Sequence, residues 1–122
     1  MTISAAESRI MEALWRKSPL TAEEIVADVA EPQGWSEATV KSLINRLLTK
    51  GAIAAEKSGR RYLYRPRVER AAYVSDESRG LIDRLFGGRI APLVSHFSKT
   101  DQLSAEDIAE LKRLIAELDH DH

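Results

Sequence analysis

Residues 35–51, WSEATVKSLINRLLTKG, read as one capped helix. Ser36 is a favoured N-cap residue and Gly51 the favoured residue just past a helix C-terminus. Trp35 and Val40 stand at the two positions of a hydrophobic staple. Between the caps, Val40, Leu43, Ile44, Leu47 and Leu48 recur at the spacing of one buried face. The opposite face carries Ala38, Ser42, Asn45 and Thr49, flanked by Thr39, Lys41 and Arg46. Glu37 is the one acidic residue on the helix. A small, polar, basic face of this kind suits the major groove of DNA, where short side chains allow close approach and Arg or Asn reads base edges. A merely solvated face is the competing reading of the helix alone, and the segments around it decide.

Upstream, Ser4 and Glu7 form a capping box for a first helix over about 5–17, with Ile10, Met11, Leu14 and Trp15 on one face. Ser18-Pro19 ends it, because the residue before proline resists helical geometry. Thr21 and Glu24 form a second box, stapled by Leu20 and Ile25, for a short helix of about 22–30. Pro32-Gln33-Gly34 then reads as a loop. Two short helices, the second followed by the polar-faced one, fit a helix-turn-helix pattern.

Downstream the period changes. Residues 52–57 and 62–65 read as two strands joined by Ser58-Gly59-Arg60-Arg61. Lys57, Arg60 and Arg61 cluster at the tip. By itself this is an ordinary hairpin with solubilising charge. Beside a groove-binding helix, it can lie along the sugar-phosphate backbone and contribute position and affinity. Three helices and this hairpin make a winged helix, over residues 1–68.

The remaining residues, 69–122, are helical in pattern. Leu81, Ile82, Leu85 and Phe86 share a stripe that Gly87-Gly88 interrupts, and Ile90, Leu93, Val94 and Phe97 form a short second one. Ser104 and Asp107 open a last helix striped by Ile108, Leu111, Leu114, Ile115 and Leu118. So short a set of helices encloses no comfortable core of its own. Its apolar faces need a partner, and a second copy is the economical one, since a dimer gains a second half-site. The expected dimerisation residues are Leu81, Leu85, Leu93, Phe97, Ile108, Leu111, Leu114, Ile115 and Leu118. The expected fold class is mainly α with a small β-hairpin.

Charge supports this division. The 122 residues carry a net charge of −1, but residues 1–68 hold 11 Lys+Arg against 8 Asp+Glu, while residues 69–122 hold 7 against 11. Between Trp35 and Arg70 there are nine basic and three acidic residues, a local stripe that can steer onto phosphate. With 30% charged residues and only short apolar runs, no membrane span is expected, and no charged-then-apolar leader opens the sequence. The absence of cysteine excludes disulfides, thiolate metal sites and a Cys nucleophile, and a cytoplasmic location fits.

No catalytic constellation is visible. The histidines are His96, His120 and His122, without a Ser/His/Asp set or a phosphate-binding glycine loop. His120-Asp121-His122 is read as a frayed tail rather than a metal site, so no metal or cofactor is expected. The alternative to DNA binding is a winged helix serving as a protein-interaction module; near-neutral charge favours it, the basic stripe argues against it.

Together these residues resemble the penicillinase repressor family (the BlaI/MecI/CopY repressors). The resemblance is carried by Leu20-Thr21-Ala22-Glu23-Glu24-Ile25-Val26, by Trp35-Ser36 followed by residues 39–47, by Lys50-Gly51, and by Gly59-Arg60 with the strand ending at Pro66. Residues 85–88 and 93–97 are similar to that family's second domain. It implies a homodimeric bacterial transcriptional repressor acting on double-stranded DNA, with Thr39, Lys41, Ser42 and Arg46 contacting DNA from the third helix and Arg60 from the wing. The helical-face reading adds Ala38 and Asn45, and the wing tip adds Lys57 and Arg61. Relatives released by proteolysis carry an Asn-Phe bond where this chain has His96-Phe97, so a regulatory protease is not expected. Copper-responsive relatives carry cysteines that this chain lacks.

Overall fold

The computed structural model describes residues 2–121, so His122 lies outside the described residues. The elements run α1 (Ala5–Arg16), α2 (Ala22–Gln33), α3 (Glu37–Lys50), β1 (Ile53–Ser58), β2 (Arg61–Pro66), α4 (Arg70–Phe86), α5 (Ile90–Lys99) and α6 (Ala105–Asp121). The chain is mainly helical with one hairpin, a winged helix followed by C-terminal helices. It divides into two compact units, Met1–Val74 and Ser75–His122.

Local chemistry sets the helix starts. Ser4 Oγ accepts from the Glu7 N–H at 3.0 Å, and Glu7 Oε1 accepts from the Ser4 N–H at 2.8 Å. Thr21 and Glu24 repeat this box at α2, at 3.2 and 3.0 Å. Ser36 Oγ accepts from the Thr39 N–H at 3.1 Å and opens α3. Each cap satisfies donors that the first turn leaves unpaired.

The ends of α2 and α3 share a second device. Gly34 (φ 69) and Gly51 (φ 78) adopt the left-handed conformation that glycine tolerates best. The N–H groups of Gly51 and Ala52 bond Leu48 O and Leu47 O, each at 3.0 Å, and Gly34 and Trp35 repeat the pattern on Glu31 O and Ala30 O. This closure explains a difference from the sequence reading. Pro32 and Gln33 belong to α2 rather than to a loop. Proline in the final turn forfeits one bond, and the Gly34–Trp35 closure holds that turn instead.

The core of the N-terminal unit is built from three helix faces. Ile10, Met11 and Leu14 of α1, Ile25 and Val29 of α2, and Val40, Leu43, Ile44 and Leu47 of α3 are all buried, with Ala52 and Ile53 closing the hairpin side. Each fully buried large aliphatic side chain contributes about 1.5–3 kcal/mol. Strands β1 and β2 pair antiparallel from Ile53↔Pro66 to Ser58↔Arg61, which leaves Gly59-Arg60 as a two-residue turn. Leu20 adds a bridge to Tyr64, with bonds of 3.1 and 2.8 Å, so the α1–α2 connection pins the hairpin.

The first turn of α4 is counted with this unit, which therefore extends past residue 68. Trp15 Nε1 donates to Val68 O at 2.8 Å, Arg70 Nε lies 3.2 Å from Glu12 Oε1, and the Trp15 and Tyr73 rings stand 5.4 Å apart.

In the C-terminal unit, Ser104 and Asp107 cap α6 reciprocally, at 3.0 and 3.3 Å. Phe97 of α5 and Leu114 of α6 line an apolar groove of about 310 Å³ together with Leu93, Val94, Leu103 and Leu111. Ile82 is the one buried large aliphatic residue of this unit among those described. No helix among the described residues is long and apolar enough to cross a membrane.

Candidate nucleic-acid interface

Helix α3 is held by its apolar face and presents everything else. Val40 and Leu47 have no exposed surface, and Leu43 and Ile44 are buried beside them. With that face fixed, the helical period points Ala38, Thr39, Lys41, Ser42, Asn45 and Arg46 outward, and all six are exposed. They adjoin one another along the helix. Ala38, Thr39, Ser42 and Arg46 line one shallow depression, and Ser42, Asn45, Arg46, Thr49 and Lys50 the next. Lys41 and Asn45 share a third with Ala22 and Tyr64.

Several of these side chains are already engaged. The Ser36 and Thr39 hydroxyls stand 3.0 Å apart, so Thr39 is oriented by the cap. The Thr49 hydroxyl donates to Asn45 O at 3.0 Å. The Lys41 ammonium donates to Glu37 Oε1 at 2.9 Å, one turn earlier. The Lys41 hydrogen bond and charge hold the Glu37 carboxyl below the usual carboxylate range, and the carboxylate raises Lys41 in return.

The hairpin places Lys57, Arg60 and Arg61 at its tip, all exposed. Register sets Lys57 opposite Tyr62 and Ser58 opposite Arg61, with Arg60 in the turn. Glu24 sits below the usual carboxylate range, chiefly through the Thr21 backbone and hydroxyl bonds, with smaller contributions from Lys17 and Arg61. The wing's charge therefore reaches the start of α2.

One supporting contact is absent from the sequence reading. Glu7, 1% exposed, receives Lys50 Nζ on Oε1 at 2.5 Å, and the same ammonium donates to Thr2 O at 2.8 Å. Burial pushes the Glu7 carboxyl up, but the bonds from Lys50 and Ser4 outweigh it and hold the group below its usual range. The last residue of α3 is thereby tied to the first turn of α1. The capping box signalled Glu7, but nothing local signals a partner 43 residues away. Among the described residues no cluster of His, Asp and Glu is arranged to hold a metal ion.

The chain matches the family model described as penicillinase repressor over residues 3–117. It is 31% identical over 115 residues to the penicillinase repressor of Bacillus licheniformis, covering 94% of this chain and 90% of that one. It is 30% identical over 113 residues to the methicillin resistance regulatory protein MecI of Staphylococcus aureus, covering 93% and 92%. Among solved structures, the monomeric form of Bacillus licheniformis BlaI in complex with the blaP half-operator superposes with a TM-score of 0.54 at 30% identity. That match covers 60% of this chain and 89% of the other.

Proposed function

The chain belongs to the penicillinase repressor family, and on that premise we propose that it is a sequence-specific DNA-binding transcriptional repressor. It is not an enzyme, and it acts in the cytoplasm as a homodimer on a palindromic operator. The observation that carries this reading is the outward face of α3. Six exposed small, polar or basic residues stand on a helix whose other face is locked into the core, beside a cationic hairpin tip.

The roles follow from the chemistry of each side chain. Arg46 suits guanine O6 and N7, Asn45 suits adenine N6 and N7, and Ala38 suits a thymine methyl. Thr39 and Ser42 offer short hydroxyls to bases or phosphate. Lys41, Lys57, Arg60 and Arg61 serve the backbone, which fixes register and affinity. The winged helix, expected over 1–68, takes the DNA, and the helices of 69–122 join two copies through the stripe from Leu81 to Leu118. Support for that pairing is the exposure of Leu85, Ile115 and Leu118, each more than half exposed on a single chain.

The test is a gel-shift titration on a duplex selected from a random pool by the protein itself. Arg46→Ala and Asn45→Ala should each weaken binding by about 1–3 kcal/mol and relax the preference at one position. Arg60→Ala should weaken all duplexes alike and reduce the salt dependence by about one counterion. Wild-type binding by all three variants would overturn the assignment.

A further inference from the structure

Glu37 is the only carboxylate on the helix assigned to the groove, and it occupies the first residue of α3. A carboxylate there suits the helix dipole. The same turn is also where a recognition helix meets base edges. In the major groove guanine N7 and O6, adenine N7 and thymine O4 all accept hydrogen bonds, and only the amines of cytosine and adenine donate. A carboxylate accepts only. Most edges, and every phosphate, therefore repel Glu37.

The structure adds a second consequence. Glu37 holds Lys41 at 2.9 Å, and neither side chain is buried: they are 61% and 49% exposed. Glu23, at the start of α2, adds a further negative charge near the same ammonium. An exposed pair of this kind is weak, so a base amine facing Glu37 together with a phosphate facing Lys41 can exchange it. Lys41 is then available to phosphate only when Glu37 gains something in return. On a sequence with no amine in reach, breaking the pair leaves the carboxylate facing acceptors, and Lys41 stays where it is.

We propose that Glu37 is a specificity-determining residue: it pairs with Lys41 in the free protein and releases it to a phosphate where the groove offers a cytosine or adenine amine. The proposal deepens the DNA-binding reading and rests on it. It assigns Glu37 two effects, reading one base and suppressing binding to the others.

The experiment uses the full chain and two duplexes, one selected from a random pool by the wild-type protein and one scrambled. Binding is measured by fluorescence anisotropy over a range of salt for wild type, Glu37→Ala, Lys41→Ala and the double variant. Glu37→Ala should tighten the scrambled duplex about two- to fivefold, as expected for freeing an exposed ion-paired lysine. Its salt dependence should steepen by about one counterion. Repeating the selection with Glu37→Ala should erase a cytosine or adenine preference at one position. In the Lys41→Ala background most of the gain on scrambled DNA should vanish.

If Glu37→Ala leaves both the scrambled affinity and the selected sequence unchanged while Arg46→Ala weakens binding, the proposal fails and the repressor reading stands. If wild type selects no duplex at all, that reading fails and takes the proposal with it.

Discussion

Glu7 adds a polar tie to the apolar packing that holds α3. It closes the α1 cap and grips Lys50 at the far end of α3, so one buried carboxylate joins two helices. Glu7→Gln keeps the shape and removes the charge that Lys50 needs. At neutral pH the variant should lose about 1–3 kcal/mol of stability, the range for weakening a charged hydrogen bond on a buried group. The pH dependence has a definite sign. The folded-state carboxyl lies below its usual range, so the wild-type contribution is full above the unfolded value of about 4.3 and is lost as pH falls through the folded value. Urea melts should therefore show wild type above Glu7→Gln at pH 7 and the two converging in acid. Equal midpoints at both pH values would show that the contact carries no stability. Lys50 also lines a depression with Asn45 and Arg46, so the loss of stability should be joined by weaker operator binding.

At the scale of elements, the devices legible in sequence are those whose parts lie within one turn. The boxes Ser4–Glu7 and Thr21–Glu24, the Ser36 cap and the Gly51 end are i, i+3 or terminal features, and each forms where the pattern places it. The outward face of α3 is legible for the same reason: five apolar positions at helical spacing leave little choice about what faces solvent. Long-range contacts are not legible in this way. Leu20 reads as a staple residue, yet it also bridges to Tyr64. Trp15 reads as part of an apolar face, yet its indole N–H travels 53 residues to Val68 O. Local spacing says nothing about partners that only tertiary packing brings together. That indole tethers the chain where the hairpin passes into α4, supported by the Arg70–Glu12 ion pair. Trp15→Phe keeps most of the packing and removes the donor. The expected cost is about 0.5–1.5 kcal/mol in a urea melt, with faster amide exchange at the start of α4. Unchanged exchange there would remove the tether's role.

For the molecule as a whole, charge and exposure divide along the chain. The basic excess lies in residues 1–68 and the acidic excess in 69–122, the distribution the proposed DNA binding by the first part calls for. The second part also leaves Leu81, Leu85, Ile90, Phe97, Ile108, Leu114, Ile115 and Leu118 exposed on one chain. In the proposed homodimer these exposed apolar residues would form the contact between copies, and a self-complementary contact would supply two copies of α3 for two half-sites. Joining two weak binders makes the second binding event intramolecular, which strengthens the whole by about 10²–10⁴ without any new DNA contact. Leu114 and Leu118 are 44% and 60% exposed, so glutamate at both positions should leave the fold of one chain intact while burying charge in any pairing. The double variant Leu114→Glu/Leu118→Glu should elute as a monomer in size-exclusion chromatography with light scattering. Its affinity for a full palindrome should fall by about 10²–10⁴, and its affinity for a single half-site should stay at the wild-type value. A dimer that survives the double substitution would move the interface off α6. A monomer that still binds the full palindrome like wild type would separate dimerisation from operator recognition.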